Sequence, residues 1–281
     1  MNYKQITIGI VSFKSEKVIF NCLKSIKKIK KIIILDNSND VRLKTLIKKK
    51  YPSIKFLLSK KNLGYGSGNN LIIKKAKTPY VFILSPDVIL AKNCEKNLLN
   101  VVRNLKTNFS ILSPISKKNN HDFNIASNYK KSTFEVEFVK GFAMLLNKKK
   151  IIKVGLFDEN IFLYLEEIDL CRRVKQANHK IFITKEAKVT HLGAKSSNIG
   201  DEFEKCRNWH WMWSQFYFNK KVSNYFLAIL KFLPKIFFLA LKVIFFYIVF
   251  DKYKSINSKM RLLGLLNSVV GNSSWYRPKI I

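Results

Sequence analysis

The chain has 281 residues, 47% apolar and 13% aromatic, enough for one large α/β domain or a domain with an appendage, and this excludes global disorder. Lysine and arginine number 52 against 18 aspartates and glutamates, a formal net charge of +34. The four cysteines, Cys22, Cys94, Cys171 and Cys206, stand far apart with no C-x-x-C pair, which argues against a zinc site or a disulfide framework and for reduced thiols.

The charge excess alone admits nucleic acid, an anionic membrane surface or a compositional bias. The lysines are dispersed over helices and loops, and lysine far outnumbers arginine, the commonest reader of bases. Nucleic acid is therefore not an expected partner.

Residues 5–13 read as a first strand, too short for the apolar core of a secretory leader. A helix follows over about 15–28, with Val18, Ile19, Cys22, Leu23 and Ile26 at helical spacing. Residues 31–40 hold a strand buried on both faces that runs into Asp36 and Asn37. A helix (41–50) and a strand (54–58) repeat the unit. Alternating strands and helices of this kind predict a parallel sheet with ligands at the strand C-terminal ends. Residues 61–70, K-N-L-G-Y-G-S-G-N-N, bring Gly64, Gly66 and Gly68 within five positions and open a helix through Ala76. Such a turn lets backbone approach a ligand, and the helix N-terminus behind it suits anions. It is neither a Walker loop nor G-x-G-x-x-G. The strand 80–84 then stops at Ser85-Pro86-Asp87, which puts Asp87 beside the exit of Asp36.

A helix over 93–105 and a short strand at 111–112 follow. The polar segment 116–132 reads as a mobile loop over the cleft. Strands at 134–139 and 142–146, interrupted at Gly141, precede a helix over 148–154. Next comes the acidic stretch 160–173, N-I-F-L-Y-L-E-E-I-D-L-C-R-R, which packs Glu166, Glu167 and Asp169 into four positions of a chain poor in acids. Carboxylates pressed between an apolar wall and a cleft can be tuned as a general base; the same acids also suit a helix N-terminus. A helix over 166–177 and two short strands, 180–184 and 187–191, close this part at His191.

From about residue 201 the chain turns aromatic and basic-apolar. The run 226–250 carries Lys231, Lys235 and Lys242 and contains Pro234. Each buried lysine costs about 2.5–3.5 kcal/mol at a bilayer centre, which disfavours a simple span and favours a helix lying in the interface. A re-entrant or spanning piece and an internally packed helix remain the other options. A cationic protein on an anionic leaflet also accounts for the basic excess.

Seven blocks, V-S-F-K (11–14), L-D-N-S-N-D (35–40), N-L-G-Y-G-S-G-N-N (62–70), L-S-P-D-V (84–88), V-K-G-F-A-M-L-L (139–146), the stretch 155–173 and H-L-G (191–193), resemble family 2 inverting glycosyltransferases, most of all the rhamnosyltransferase-like branch that builds bacterial surface polysaccharides. The resemblance covers about residues 5–200. It implies a GT-A fold, that is, an α/β Rossmann-like, mostly parallel sheet flanked by helices. That domain would occupy 1–200, with a helical, membrane-associating extension over 201–281. It implies a nucleotide-diphosphate sugar donor, held by Ser12, Asp36, Gly64, Gly66, Gly68, Asn69 and Asp87. It implies Mg²⁺ or Mn²⁺ on Asp87 and His191, and a base at Glu167 or Glu166. The acceptor would be a lipid-linked or growing glycan at the cytoplasmic face of the cell membrane. The family's usual N-P-D is Ser85-Pro86-Asp87 here, and its E-D is Glu166-Glu167, so either glutamate can be the base. Asp169 is expected to pair with Arg172 or Arg173. The competing readings are a basic membrane- or nucleic-acid-binding protein on an inert scaffold and a nucleotidyltransferase.

Overall fold

The computed structural model describes residues 2–106, 109–116, 130–193, 197 and 200–278. Most of the expected loop 116–132 lies outside the described residues. The strands are β1 (Ile6–Ser12), β2 (Lys31–Asp36), β3 (Lys55–Leu58), β4 (Tyr80–Leu84), β5 (Val88–Leu90), β6 (Ile111–Ser116), β7 (Thr133–Glu135), β8 (Ala143–Asn147) and β9 (Ile181–His191). They form one sheet ordered β3-β2-β1-β4-β8-β6-β9-β5, with β7 paired to β9. The helices between them are α1 (Glu16–Ser25), α2 (Val41–Lys50), α3 (Tyr65–Lys75), α4 (Cys94–Asn104), α5 (Lys148–Val154) and α6 (Glu166–Gln176).

The expected parallel arrangement holds from β3 through β4. Beyond β4 the sheet is mixed, because β8 runs antiparallel to both β4 and β6. The two strands expected at 180–184 and 187–191 are one strand, β9, which stays paired to β6 across a register shift between Pro114 and Ile115. β5, three residues directly after Asp87, was not expected; its brevity hides it from any periodicity.

All seven residues of β1 are buried, as a central parallel strand requires. One face of the sheet is covered by the apolar stripes of α1, α2 and α4, the other by those of α3, α5 and α6. Gly9 in β1 allows the close seating of α3, since a Cβ there would lie 2.7 Å from Ile72 Cγ2. Buried Glu95 of α4 ties down the turn after α1 by accepting the backbone N–H groups of Lys27, Lys28 and Ile29 at 2.7–3.0 Å.

The chain divides into two compact units, Met1–Asp158 with Glu167–Asn198, and Glu159–Glu166 with Ile199–Ile281. The second contains α7 (Asp201–Val222), α8 (Tyr225–Ile248) and α9 (Lys252–Val269). Asn224 and Asp251 cap α8 and α9 by accepting from Leu227 N–H and Lys254 N–H. Pro234 lies inside α8. No described helix is long and apolar enough to cross a membrane.

Around α7 the second unit packs tightly on backbone. A Cβ at Gly264 would lie 2.1 Å from the carbonyl oxygen of Trp209. Backbone cannot yield as a side-chain tip can, so Gly264→Ala separates α9 from α7. We expect a loss of at least about 1–3 kcal/mol, read as a lower thermal unfolding midpoint; an unchanged midpoint contradicts this packing.

Candidate active site

The C-terminal ends of β1, β2 and β4 lie at one edge of the sheet, as the parallel registers Ser12↔Asp36 and Ile10↔Leu84 require. Three linked clusters of residues stand there.

The first is built on Asp36, which is fully buried. Its carboxylate accepts from Ser12 Oγ at 2.8 Å, from the backbone N–H and hydroxyl of Ser38, and from Asp40 N–H at 3.0 Å. Ser12 and Asp36 are thus brought together, and the aspartate organises the exit loop of β2. Neighbouring Asn37, to which the sequence assigned no role, donates from Nδ2 to Gly64 O at 3.0 Å. Gly64 has φ +82°, a conformation that glycine adopts without strain. Gly66, Gly68 and Asn69 are buried in the first turns of α3. Gly68 faces the sheet, where a Cβ would meet Val11 at 3.0 Å and Leu35 at 3.3 Å, so its smallness serves helix–sheet packing. Asn69 Nδ2 donates to Tyr65 O, while its Oδ1 is buried with no partner among the described residues.

The second cluster holds Glu167. The Tyr65 hydroxyl donates to Gly141 O, and Gly141 donates its own N–H to the Glu167 carboxylate. Gly141 is pinched between the two: a Cβ there would lie 3.3 Å from Tyr65 Cε1 and 3.6 Å from Glu167 Cβ. Glu167 is half-buried, and burial raises its pKa above the ordinary carboxylate value. The N–H groups of Glu167, Gly141 and Ile168 and the charge of Lys140 oppose that rise in part. The sequence marked Gly141 only as a break between strands; nothing in it signals a backbone donor.

Glu166 begins α6, is 4% exposed, and belongs to the second compact unit while Glu167 belongs to the first. Neighbours on a helix point about 100° apart, so the two glutamates do not share a face. The chain enters α6 through Tyr164 (φ +70°) and Leu165 (φ +67°), two consecutive side-chain-bearing residues in the left-handed region. Local strain of this type is stored where surrounding contacts over-determine the backbone. Here Tyr164 accepts from Arg207 Nε at 2.6 Å and Leu163 O accepts from Ser214 Oγ at 2.8 Å. Asp169 pairs with Arg173 at 2.8 Å, and Arg173 also donates to the carbonyls of Val154, Gly155 and Leu156. That is a structural clamp, in line with the expected pairing. Asn70 adds a second clamp by exchanging two hydrogen bonds with the backbone of Phe157.

The third cluster is Asp87 with His191. The antiparallel register Val88↔His191 sets them side by side, and Leu192 N–H donates to Asp87 O. His191 Nε2 lies 3.5 Å from Asp87 Oδ2, and its ring stacks on Phe142 with centroids 4.6 Å apart. Asp87 is 1% exposed, and both carboxylate oxygens are buried with no hydrogen-bond partner among the described residues. A buried carboxylate in that state is costly unless something positive meets it. Among the described residues no three His, Cys, Asp or Glu side chains gather as a metal cage. Mg²⁺ and Mn²⁺ sites that use substrate phosphates need no such cage: one or two protein ligands suffice. The orphaned oxygens of Asp87 and the adjacent imidazole fit such a cation.

All four cysteines are buried free thiols, and burial is the main cause that pushes each up to about 12.

Comparison with known proteins follows the same lines. The chain is 26% identical over 198 residues to the low-salt glycan biosynthesis hexosyltransferase Agl10 of Haloferax volcanii, covering 63% of each protein, so it spans less than two thirds of that relative. It is 24% identical over 211 residues to the rhamnosyltransferase WbbL of Escherichia coli K12, covering 64% of this chain and 78% of the other. The structure resembles that of the mannosyltransferase PcManGT from Pyrobaculum calidifontis, solved with GDP-Man and Mn²⁺. The TM-score is 0.61 at 11% identity, over 94% of this chain and 87% of that one, a likeness of fold. The fold is thus a mixed α/β sheet of the GT-A kind with C-terminal helices. Residues 7–168, more than half of the chain, match the family described as glycosyl transferase family 2, and the chain belongs to that family.

Proposed function

We propose that the chain is an inverting glycosyltransferase that moves a sugar, rhamnose or a similar hexose, from a nucleotide-diphosphate donor to a lipid-linked or growing glycan acceptor. The observation that carries this reading is the shared sheet edge: Glu167, a carboxyl with a raised pKa, is tied through Gly141 and Tyr65 to the glycine turn, and Phe142 leads from Gly141 to His191 and Asp87. Asp87 and His191 would hold Mg²⁺ or Mn²⁺, which when bound supplies charge neutralisation to the departing diphosphate. Ser12, Asp36, Gly64, Gly66, Gly68 and Asn69 form the donor side, chiefly by fixing the loops that line it.

Glu167 accepts the proton of the acceptor hydroxyl as that oxygen attacks the anomeric carbon. One displacement assisted by one base inverts the anomeric centre. Glu166 is the weaker candidate, since it is the Glu167 carboxylate that accepts from Gly141 N–H and is so tied to the glycine turn through Tyr65. The basic, apolar α8 supports a peripheral location on an anionic membrane surface, at the cytoplasmic face where nucleotide sugars and lipid-linked acceptors meet.

The test is a panel of nucleotide sugars scored by thermal shift with Mn²⁺ and with a chelator. At one hundred times its Kd a donor adds about 2.7 kcal/mol of stability. We expect one donor class to raise the unfolding midpoint with Mn²⁺ and much less without it. A panel in which no nucleotide sugar moves the midpoint under either condition overturns the reading.

A further inference from the structure

On α8, Leu230, Leu233, Phe237, Leu241, Ile244 and Ile248 are all exposed and recur every three or four residues, so they form one apolar face. Lys231, Lys235 and Lys242, spaced by four and seven, run as a cationic rail along its flank. Lys231 and Lys235 donate to Asn219 and Gln215 of α7. Lys242 has no partner among the described residues. It lines an open depression of about 300 Å³ walled by α7, α8 and α9.

Two further cations line this depression. Arg261 donates from Nε to Asn208 Oδ1 at 2.7 Å, and Asn208 in turn donates to Asn257 at 3.0 Å. This chain fixes the guanidinium while its two terminal nitrogens have no partner among the described residues. Lys254 pairs with Asp251 at 2.9 Å and lies 5.4 Å from the centre of the Phe246 ring. The one acid in the lining, Glu204, is held by Arg207 at 2.9 Å. From Tyr225 to the last residue the sequence has nine Lys and Arg and a single acid, Asp251. Two copies meeting through this face would oppose like charges, whereas an anionic bilayer complements both the rail and the apolar stripe.

The geometry points to a phosphate-binding site for the headgroup of an anionic lipid in the depression between α7, α8 and α9, with Lys242 and Arg261 as its principal ligands. Arginine supplies a planar fork and lysine a point charge, the two modes by which protein cations hold phosphate. The apolar face of α8 would lie among the acyl chains beside it. This rests on the membrane contact proposed above and adds to it a defined site.

The test is flotation of the full chain with phosphatidylcholine vesicles, with and without phosphatidic acid. The double variant Lys242→Gln/Arg261→Gln is compared with Lys220→Gln/Lys221→Gln, which removes equal charge from the end of α7. We expect the first pair to weaken binding to the acidic vesicles on the order of thirtyfold, and the second pair much less. Equal losses in both variants overturn the site while leaving a diffuse membrane contact. No binding of the parent chain to either vesicle overturns both. Soluble glycerol phosphate that stabilises the parent but not the Lys242/Arg261 variant, in the absence of vesicle binding, assigns the site to a free anion and overturns the lipid.

Discussion

Glu167→Gln is expected to lower sugar transfer by about 10²–10⁴-fold, the usual contribution of a positioned general base, and to leave donor binding intact. Glutamine keeps the length and most of the packing but accepts no proton. Burial disfavours the charged form of Glu167 more than its three backbone donors favour it. Because folding raises this pKa, the associated stability is present in full below the ordinary carboxylate range and is lost as pH rises through the raised value. The amide is therefore not expected to lower the unfolding midpoint at neutral pH, which separates a lost base from a lost fold. In the parent, the acidic limb of the rate profile should sit above the ordinary carboxylate range, since the base works only when deprotonated. An active variant with an unchanged acidic limb removes Glu167 from the role, and the same experiment on Glu166→Gln then becomes decisive.

The second large effect is at Asp87. Asp87→Asn is expected to abolish the Mn²⁺-dependent part of the donor-induced thermal shift and to lower transfer roughly 10²–10³-fold, as the loss of several kcal/mol of charge stabilisation implies. A readout without cation or donor accompanies it. The two oxygens of Asp87 are buried and lack hydrogen-bond partners among the described residues, so the neutral amide should hold or raise the unfolding midpoint in chelator. A variant that binds donor with Mn²⁺ as the parent does would remove Asp87 from the cation site.

Strand ends were the legible part of this site. A buried apolar run that halts at a carboxylate, as before Asp36 and at Ser85-Pro86-Asp87, carries its meaning in local sequence. The helix start at Glu166 was legible for the same reason. Backbone roles were not: Gly141 acts through its N–H and its missing Cβ, and neither leaves a residue-type signature beyond glycine itself. Long-range clamps were equally silent, since Asn70 finds Phe157 and Glu95 finds Lys27–Ile29 only once the sheet has formed. The left-handed pair Tyr164–Leu165 gave no warning, because neither residue favours that conformation alone.

The state of the cysteines has a practical consequence. A thiol whose pKa lies near 12 and whose sulfur is shielded presents almost no thiolate to an electrophile at neutral pH. A cysteine introduced on an exposed residue such as Phe238 or Phe250 of the apolar C-terminal region would therefore react with a maleimide dye well ahead of the four native ones. The natural sequence can thus be labelled at one site, without a cysteine-free background, to test whether α8 enters a bilayer.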